Sequence, residues 1–233
     1  GAGKTTTTRL LLDALRPTSG SVRVLGGTGR DPAIRDRIGV LPADLHFDPR
    51  LTGHELFAYL GRLRGADGGA EVTALCERFS LDPGRRIDEL STGNRRKVGI
   101  VAAFAHRPEL LILDEPTSGL DPLMQEAFHD LVRERHADGA TVFLSSHLLP
   151  EVQEMADRVG LIREGRLRDV DTVGDLLHQR LQRALGCLQV EATGRELERA
   201  LAEHGVETRL VGMVVGPTVT RFELELGPGV KVA

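Results

Sequence analysis

The sequence predicts an α/β fold built on a mixed, mainly parallel sheet, and three stretches carry that prediction. Leu110 to Leu113 is an unbroken apolar run ended by Asp114, Glu115 and Pro116. It is too short for a helix and apolar at every position, as a strand buried on both faces of a parallel sheet must be. Gly1-Ala2-Gly3-Lys4-Thr5-Thr6 opens the chain as the second half of the pattern G-x-x-x-x-G-K-[ST], in which amides at a helix N-terminus cradle phosphate oxygens. Leu90-Ser91-Thr92-Gly93-Asn94 precedes Val98, Val101, Phe104 and Ala105 at helical spacing, with Ser91 placed to cap that helix. Ligands bind at the carboxyl ends of parallel strands, so Asp114 and Glu115 stand where a hydrated cation and an activated water are useful. Alone, the acidic pair would read as a solvated turn; beside a phosphate loop it fits nucleoside-triphosphate chemistry.

In chain order, Lys4 to Leu15 is expected as the helix after the phosphate loop, burying Leu10, Leu11, Ala14 and Leu15. Pro17 to Gly20 turns the chain into an alternating, strand-like Ser21 to Leu25. Asp31-Pro32 is an N-cap followed by a favoured first helical residue, so a short helix precedes the strand Ile38 to Leu41. Thr52 and Glu55 form a capping box that opens a helix with Leu56, Phe57, Leu60 and Leu63 on its apolar stripe and Tyr59 off it. Beyond the Gly-rich turn of residues 65–69, Val72, Leu75, Cys76 and Phe79 mark a second amphipathic helix, with Cys76 in the core. Arg95, Arg96 and Lys97 read first as a solvated basic face, and second as a local field that favours phosphate. Asp121-Pro122 starts a helix that runs to about His136 and stops at Gly139, before a buried strand Thr141 to Leu144. Arg158 to Arg163 and Arg166 to Val170 flank Glu164-Gly165 as a hairpin, and Thr172 caps a last helix.

Composition narrows the classes. A chain of 233 residues with 40% hydrophobic content can bury a sizeable core. A net charge of −4 gives no ground for expecting direct nucleic-acid binding. Cys76 and Cys187 lie far apart and the eight His are scattered without metal-ligand spacing, so neither a disulfide framework nor a zinc site is expected and a reducing cytosol fits. No apolar run approaches the roughly 18 residues of a spanning helix, so a membrane role would come through a partner. Residue 1 is Gly rather than Met, and the first Gly of the loop pattern would precede it. The expectation is therefore a truncated N-terminus that lacks the strand leading into the loop.

In their order and spacing, Lys4-Thr5, Leu90 to Asn94, Leu110 to Glu115, Ser118 to Asp121 and Ser145-Ser146-His147 resemble the ATP-binding cassette (ABC) family of transporter ATPases. The likeness extends over about residues 1–180 and has the look of subunits serving multidrug-type exporters. It implies a P-loop nucleotide hydrolase of the ABC ATPase type with a helical signature subdomain over about residues 50–105. Gly1, Ala2, Gly3, Lys4, Thr5 and Thr6 would be the Walker A loop that binds ATP, Thr5 and Asp114 would hold Mg²⁺, and Glu115 at the end of Walker B would polarise the attacking water. His147 would be the switch histidine at the γ-phosphate. Ser91 and Gly93, in a variant signature, would complete the site of a second protomer, with Asp121 of the D-loop bridging the interface. The position that usually carries a nucleotide-sensing Gln is Ala43, so that loop would have to act through its backbone or Asp44. Implied partners are a second ABC ATPase protomer, in a homodimer, and a membrane permease subunit. The permease's coupling helix would land on the helical subdomain, touching Phe57 or Tyr59. The resemblance thus implies ATP hydrolysis that powers export, in the cytoplasm at the inner face of the cell membrane.

From about Gly186 the sequence changes character. Glu196 to His204 reads as a short helix and Val219 to Leu226 alternates with Phe222, Leu224 and Leu226 on one face, giving a short α+β tail. Gly205 to Val232 resembles the segment preceding the motor of septal DNA translocases of the FtsK/SpoIIIE type, without that family's own phosphate loop. The organisation expected is an ABC ATPase domain over 1–180 joined to a partial FtsK-like segment over 186–233. The alternatives are a DNA translocase-related fusion, a nonfunctional chimeric fragment, or a DNA-repair or chromosome-structuring ATPase of the same superfamily. The last would need long coiled coils or Cys-rich zinc modules, and Lys4 and Ser91 are bridged by a compact stretch without sustained heptads.

Overall fold

The computed structural model describes residues 3–65, 69–174, 208–215 and 220–226. The chain divides into two compact units, Gly1–Val170 and Asp171–Ala233.

The first unit is organised by a parallel sheet in the order β1 (Ile38–Leu41), β2 (Leu110–Asp114), β3 (Thr141–Ser145). β2 is central, and its Leu111, Ile112 and Leu113 are at most 1% exposed, because their side chains alternate between two separate apolar clusters. Leu111 and Leu113 join the larger one, with Leu41, Val98, Val101, Phe104, Phe128 and Leu131. Ile112 joins the smaller, with Val24, Ile34 and Ile38. Two helices supply most of the large cluster's far side, α5 (Thr92–Phe104) and α6 (Pro122–Ala137). Phe104 and Phe128 meet there edge to face with centroids 6.0 Å apart, a favoured arrangement for aromatic quadrupoles. β3 departs from expectation: Thr141 and Phe143 are exposed, while Val142 and Leu144 pack on the core. Only one face is covered, because β3 is a border strand among the described residues and not a second central one.

The N-terminal helix α1 is shorter than its apolar pattern suggests, Lys4–Leu11. Asp13 takes a left-handed φ of 54°, which ends the helix and leaves Ala14 and Leu15 exposed rather than buried. Ser21 to Leu25 forms no strand either. Val24 pairs only with Gly27, across Leu25 and Gly26 at φ 50° and 80°, a tight turn with left-handed central residues. The short helix α2 (Pro32–Arg35) is capped by Asp31, which accepts from the Ala33 amide at 2.9 Å. The connection from β3 holds a helix the sequence pattern did not announce, α7 (Leu149–Met155), with Pro150 in its first turn. β4 (Arg158–Arg163) and β5 (Arg166–Thr172) form the expected hairpin, with Glu164 and Gly165 at φ 53° and 71°.

Helices α3 (Gly53–Arg64) and α4 (Gly69–Arg78) make up the helical region together with α5. The Thr52–Glu55 capping box is present in both directions. Leu56 and Phe57 are buried, whereas Leu63 is 63% exposed. Helix α3 borders a cavity of about 1110 Å³ shared with α4 and the end of α5. Phe57 is a core residue, which leaves Tyr59, 49% exposed, as the surface aromatic. Burial of Cys76 pushes its thiol up to about 11.

In the second unit, β6 (Thr208–Val215) and β7 (Thr220–Leu226) form an antiparallel pair with an irregularity between Leu210 and Gly212. The helix expected after Thr172 begins at residues 173–174, where the description stops, and the one at Glu196 to His204, with Cys187, lies outside the described residues, as do Gly1 and Ala2. Among the described residues no helix is long and apolar enough to cross a membrane.

β1 and α5 approach so closely at Gly39 that an added Cβ would stand 2.2 Å from the Ala103 carbonyl oxygen and 2.8 Å from Leu111 Cδ2. Gly39→Ala is therefore expected to lower stability by about 1–3 kcal/mol, the range for overpacking a core. Urea denaturation checks this, and an unchanged midpoint would show that β1 can move away from α5.

Candidate functional site

The parallel register brings three strand ends to one level. Leu41 pairs with Leu113 and Asp114 with Ser145, so the segments that follow β1, β2 and β3 emerge side by side. Glu115 donates its amide to the Ser145 carbonyl at 3.0 Å and then turns at φ 48°. A left-handed φ is costly for a residue with a Cβ, and such strain gathers at functional positions. Here the turn carries the Glu115 carboxylate to two bases. Lys4 Nζ donates to Oε1 at 2.7 Å, and His147 Nδ1 lies 2.6 Å from Oε2. Burial pushes the Glu115 carboxyl up, but the hydrogen bonds from Lys4 and His147 and their charges outweigh it, and its pKa falls below the usual value. Asp114 is buried one residue earlier and accepts from the Ser145 hydroxyl.

Lys4 reaches this point because it is the first residue of α1. That helix starts at Gly3, φ 104°, with no side-chain cap and no acidic residue in its first turn, so its leading amides remain open to an anion. Gly3 is constrained on its other side as well, since a Cβ there would meet Gly165 Cα at 3.1 Å. Thr5 and Thr6 are exposed, while the Thr7 and Thr8 hydroxyls turn back to the Gly3 and Lys4 carbonyls.

Arg96 belongs to this site and not to a solvated face. It is 3% exposed, and burial lowers its pKa against the charges of Asp114, Glu115, Asp44 and Glu151. Its five N–H groups meet five backbone carbonyls. Nε donates to Pro116 (3.0 Å), Nη2 to Asp114 (2.7 Å) and Glu115 (2.5 Å), and Nη1 to Pro42 (2.6 Å) and Ala43 (3.2 Å). Ala43 thus meets Arg96 through its carbonyl. The sequence did hold a signal for this burial, because Arg96 lies four residues before Ile100 and eight before Phe104, on the stripe that faces the core. One further residue went unread. Glu151 of α7 is buried and accepts from the hydroxyls of Thr117, at 2.5 Å, and Ser146, tying the stretch after β2 to the one after β3.

Ser91, Asp121 and Gly93 each make a local contact. Ser91 caps α5 by accepting from the Asn94 amide at 3.3 Å, and Asp121 caps α6 by accepting from the Met124 amide at 3.0 Å. A Cβ at Gly93 would stand 2.8 Å from the Gly119 carbonyl oxygen, so the start of α5 rests against the Ser118–Asp121 segment. Among the described residues, Ser91 and Asp121 make no bond to Lys4, Glu115 or His147.

The lowered Glu115 pKa has a definite sign. Its contribution to stability is fully present above the usual Glu value near 4.5 and is lost as pH falls through the lower folded value. Lys4→Met should therefore raise the Glu115 pKa, read by NMR titration. The stability difference between Lys4→Met and the parent chain should also shrink between pH 7 and pH 3; a difference independent of pH would show that the ion pair contributes nothing.

Residues 1–118 match the ABC transporter family model and residues 174–233 match the FtsK alpha domain. The chain is 36% identical over 185 residues to the bacitracin transport ATP-binding protein BcrA of Enterococcus faecalis, covering 77% of this chain and 60% of that protein. It is 38% identical over 215 residues to the daunorubicin/doxorubicin resistance ATP-binding protein DrrA of Streptomyces peucetius, covering 88% and 65%. The chain thus spans less than two thirds of the length of either relative. A solved ATP-binding subunit of an ABC transporter superposes with a TM-score of 0.72 at 30% identity, over 82% of this chain and 84% of that one. On this match of sequence and fold, the chain belongs to the ABC transporter family as an ATP-binding domain.

Proposed function

We propose that this chain hydrolyses ATP to power export through a membrane transporter. The observation that carries the reading is the convergence of Lys4 and His147 on Glu115, at the carboxyl end of the central strand beside the open start of α1. Gly1, Ala2, Gly3 and Thr6 contribute to the phosphate loop, Lys4 and the α1 amides bind the β- and γ-phosphates, and His147 contacts the γ-phosphate. Mg²⁺ would be held by the Thr5 hydroxyl and, through water, by Asp114, and would supply charge neutralisation of the phosphates. Glu115 accepts a proton on a carboxylate oxygen from the attacking water, whose oxygen bonds to the γ-phosphorus as the bond to the bridging oxygen breaks.

Ser91 and Gly93 complete the site of a second protomer in a homodimer, and Asp121 lies at that interface. The other partner is a membrane permease, which places the chain in the cytoplasm at the inner membrane face. Exposed Tyr59, and not buried Phe57, is the aromatic available to it. The names of the relatives, in bacitracin transport and daunorubicin/doxorubicin resistance, support an export role. The ATPase domain covers residues 1–180 and the FtsK-like segment 186–233. A second reading, a DNA translocase-related fusion, draws on the FtsK alpha match alone, and the net charge of −4 disfavours a nucleic-acid partner.

Equilibrium binding of Mg²⁺-ATP and its turnover test the proposal. Lys4→Ala should abolish micromolar binding. Glu115→Gln should keep ATP, lower turnover by about 10²- to 10⁴-fold as expected for loss of a general base, and shift the chain to a dimer in size-exclusion chromatography with ATP. Normal turnover by Glu115→Gln would remove Glu115 from the mechanism.

A further inference from the structure

The loop after β1, the turn after β2 and the first turns of α5 share one guanidinium. Three of the five carbonyls that Arg96 binds belong to Asp114, Glu115 and Pro116, on either side of the left-handed turn at Glu115. The other two belong to Pro42 and Ala43. A residue with a Cβ leaves the left-handed region unless its surroundings hold it there. The Glu115 amide bond to Ser145 and the Ser118 amide bond to Glu115, at 3.2 Å, hold the turn from outside, and Arg96 grips it from the core. The direction in which the Glu115 carboxylate leaves the strand depends on that turn.

We propose that Arg96 is a positioning residue that locks Glu115 in its left-handed turn and ties that turn to the backbone of the Pro42-Ala43 loop, so that α5, the loop and the water-activating carboxylate move as one body. The meaning of this lock rests on the reading of Glu115 as the residue that activates water; its existence does not. Pro42 and Ala43 offer no side chain that can hydrogen-bond, and Arg96 needs none, since it uses only their carbonyls. A displacement of the loop after β1 would pull on Nη1, and the planar fork would pass it to Nη2 and Nε and hence to Glu115. A Lys cannot substitute, because an ammonium has three donors at a single point where the guanidinium holds five in a fixed plane.

Amide hydrogen exchange on the whole 233-residue chain without nucleotide tests the lock separately from ATP hydrolysis. In Arg96→Lys and Arg96→Met, exchange at the Glu115 and Ser118 amides should accelerate at least about tenfold while Val98–Phe104 and Leu111–Leu113 stay within about threefold, the signature of a local opening. Equal acceleration at all these sites, or none at Glu115 and Ser118, would make Arg96 an ordinary core residue and overturn the proposal. A second comparison uses Glu115→Gly, since glycine adopts a left-handed φ without strain. The loss of urea midpoint on Arg96→Met should shrink by about half or more in the Glu115→Gly background, because the lock then has no strain to hold. An undiminished loss would overturn the proposal, and if Arg96→Met does not fold, Arg96→Lys in the two backgrounds gives the same comparison. Failure here would leave the ATPase reading standing, and loss of that reading would leave the lock.

Discussion

The site depends on the parallel pairing of β2 with a strand on each side. Parallel register sends all three strands out of the same edge of the sheet, so Ala43, Glu115 and His147, far apart in sequence, all follow strands that end at that edge. The pairing also explains why β2 is so apolar. A strand with hydrogen-bonded neighbours on both sides and packing on both faces is shielded from water along most of its length. Asp114 is still buried, and exposure begins at Glu115.

What lies just behind that edge is polar and almost dry. Arg96, Asp114, Thr117, Ser145 and Glu151 are all buried, and each unpartnered member would cost about 1–3 kcal/mol. They form two adjoining knots. Arg96 neutralises the carbonyl-rich turn after β2 without touching a carboxylate directly, while Glu151 gathers the hydroxyls of Thr117 and Ser146. Buried polar groups satisfied in this way specify one arrangement, because any shift leaves a donor or acceptor unmatched. The two knots fix the backbone on either side of Glu115, and the strained residue sits between them.

Much of this was written in local patterns. The β2 run with its acidic end, the Thr52–Glu55 capping box, the Asp31 and Asp121 caps and the Glu164-Gly165 hairpin turn are short-range features, and each appears in the structure as expected. Features that depend on distant neighbours were harder to see. β3 has the same apolar look as β2, and its partial exposure follows from its place in the sheet. α1 keeps its apolar spacing past Leu11, but the left-handed Asp13 breaks the helix before Ala14 and Leu15 can be buried. Arg96 was legible in position and misread in class, because a charged residue on a core-facing stripe was given to solvent on account of its charge. The pairing of Glu151 with Thr117 spans 34 residues, and nothing local announces it.

The contact between Gly93 and Gly119 carries a consequence of another kind. With the Gly119 carbonyl 2.8 Å from where a Cβ would stand, any side chain at position 93 must displace the segment that leads into α6, and Gly119 itself holds φ 80°. The two positions are coupled by shape: a side chain fits at residue 93 only if the backbone at residue 119 moves aside.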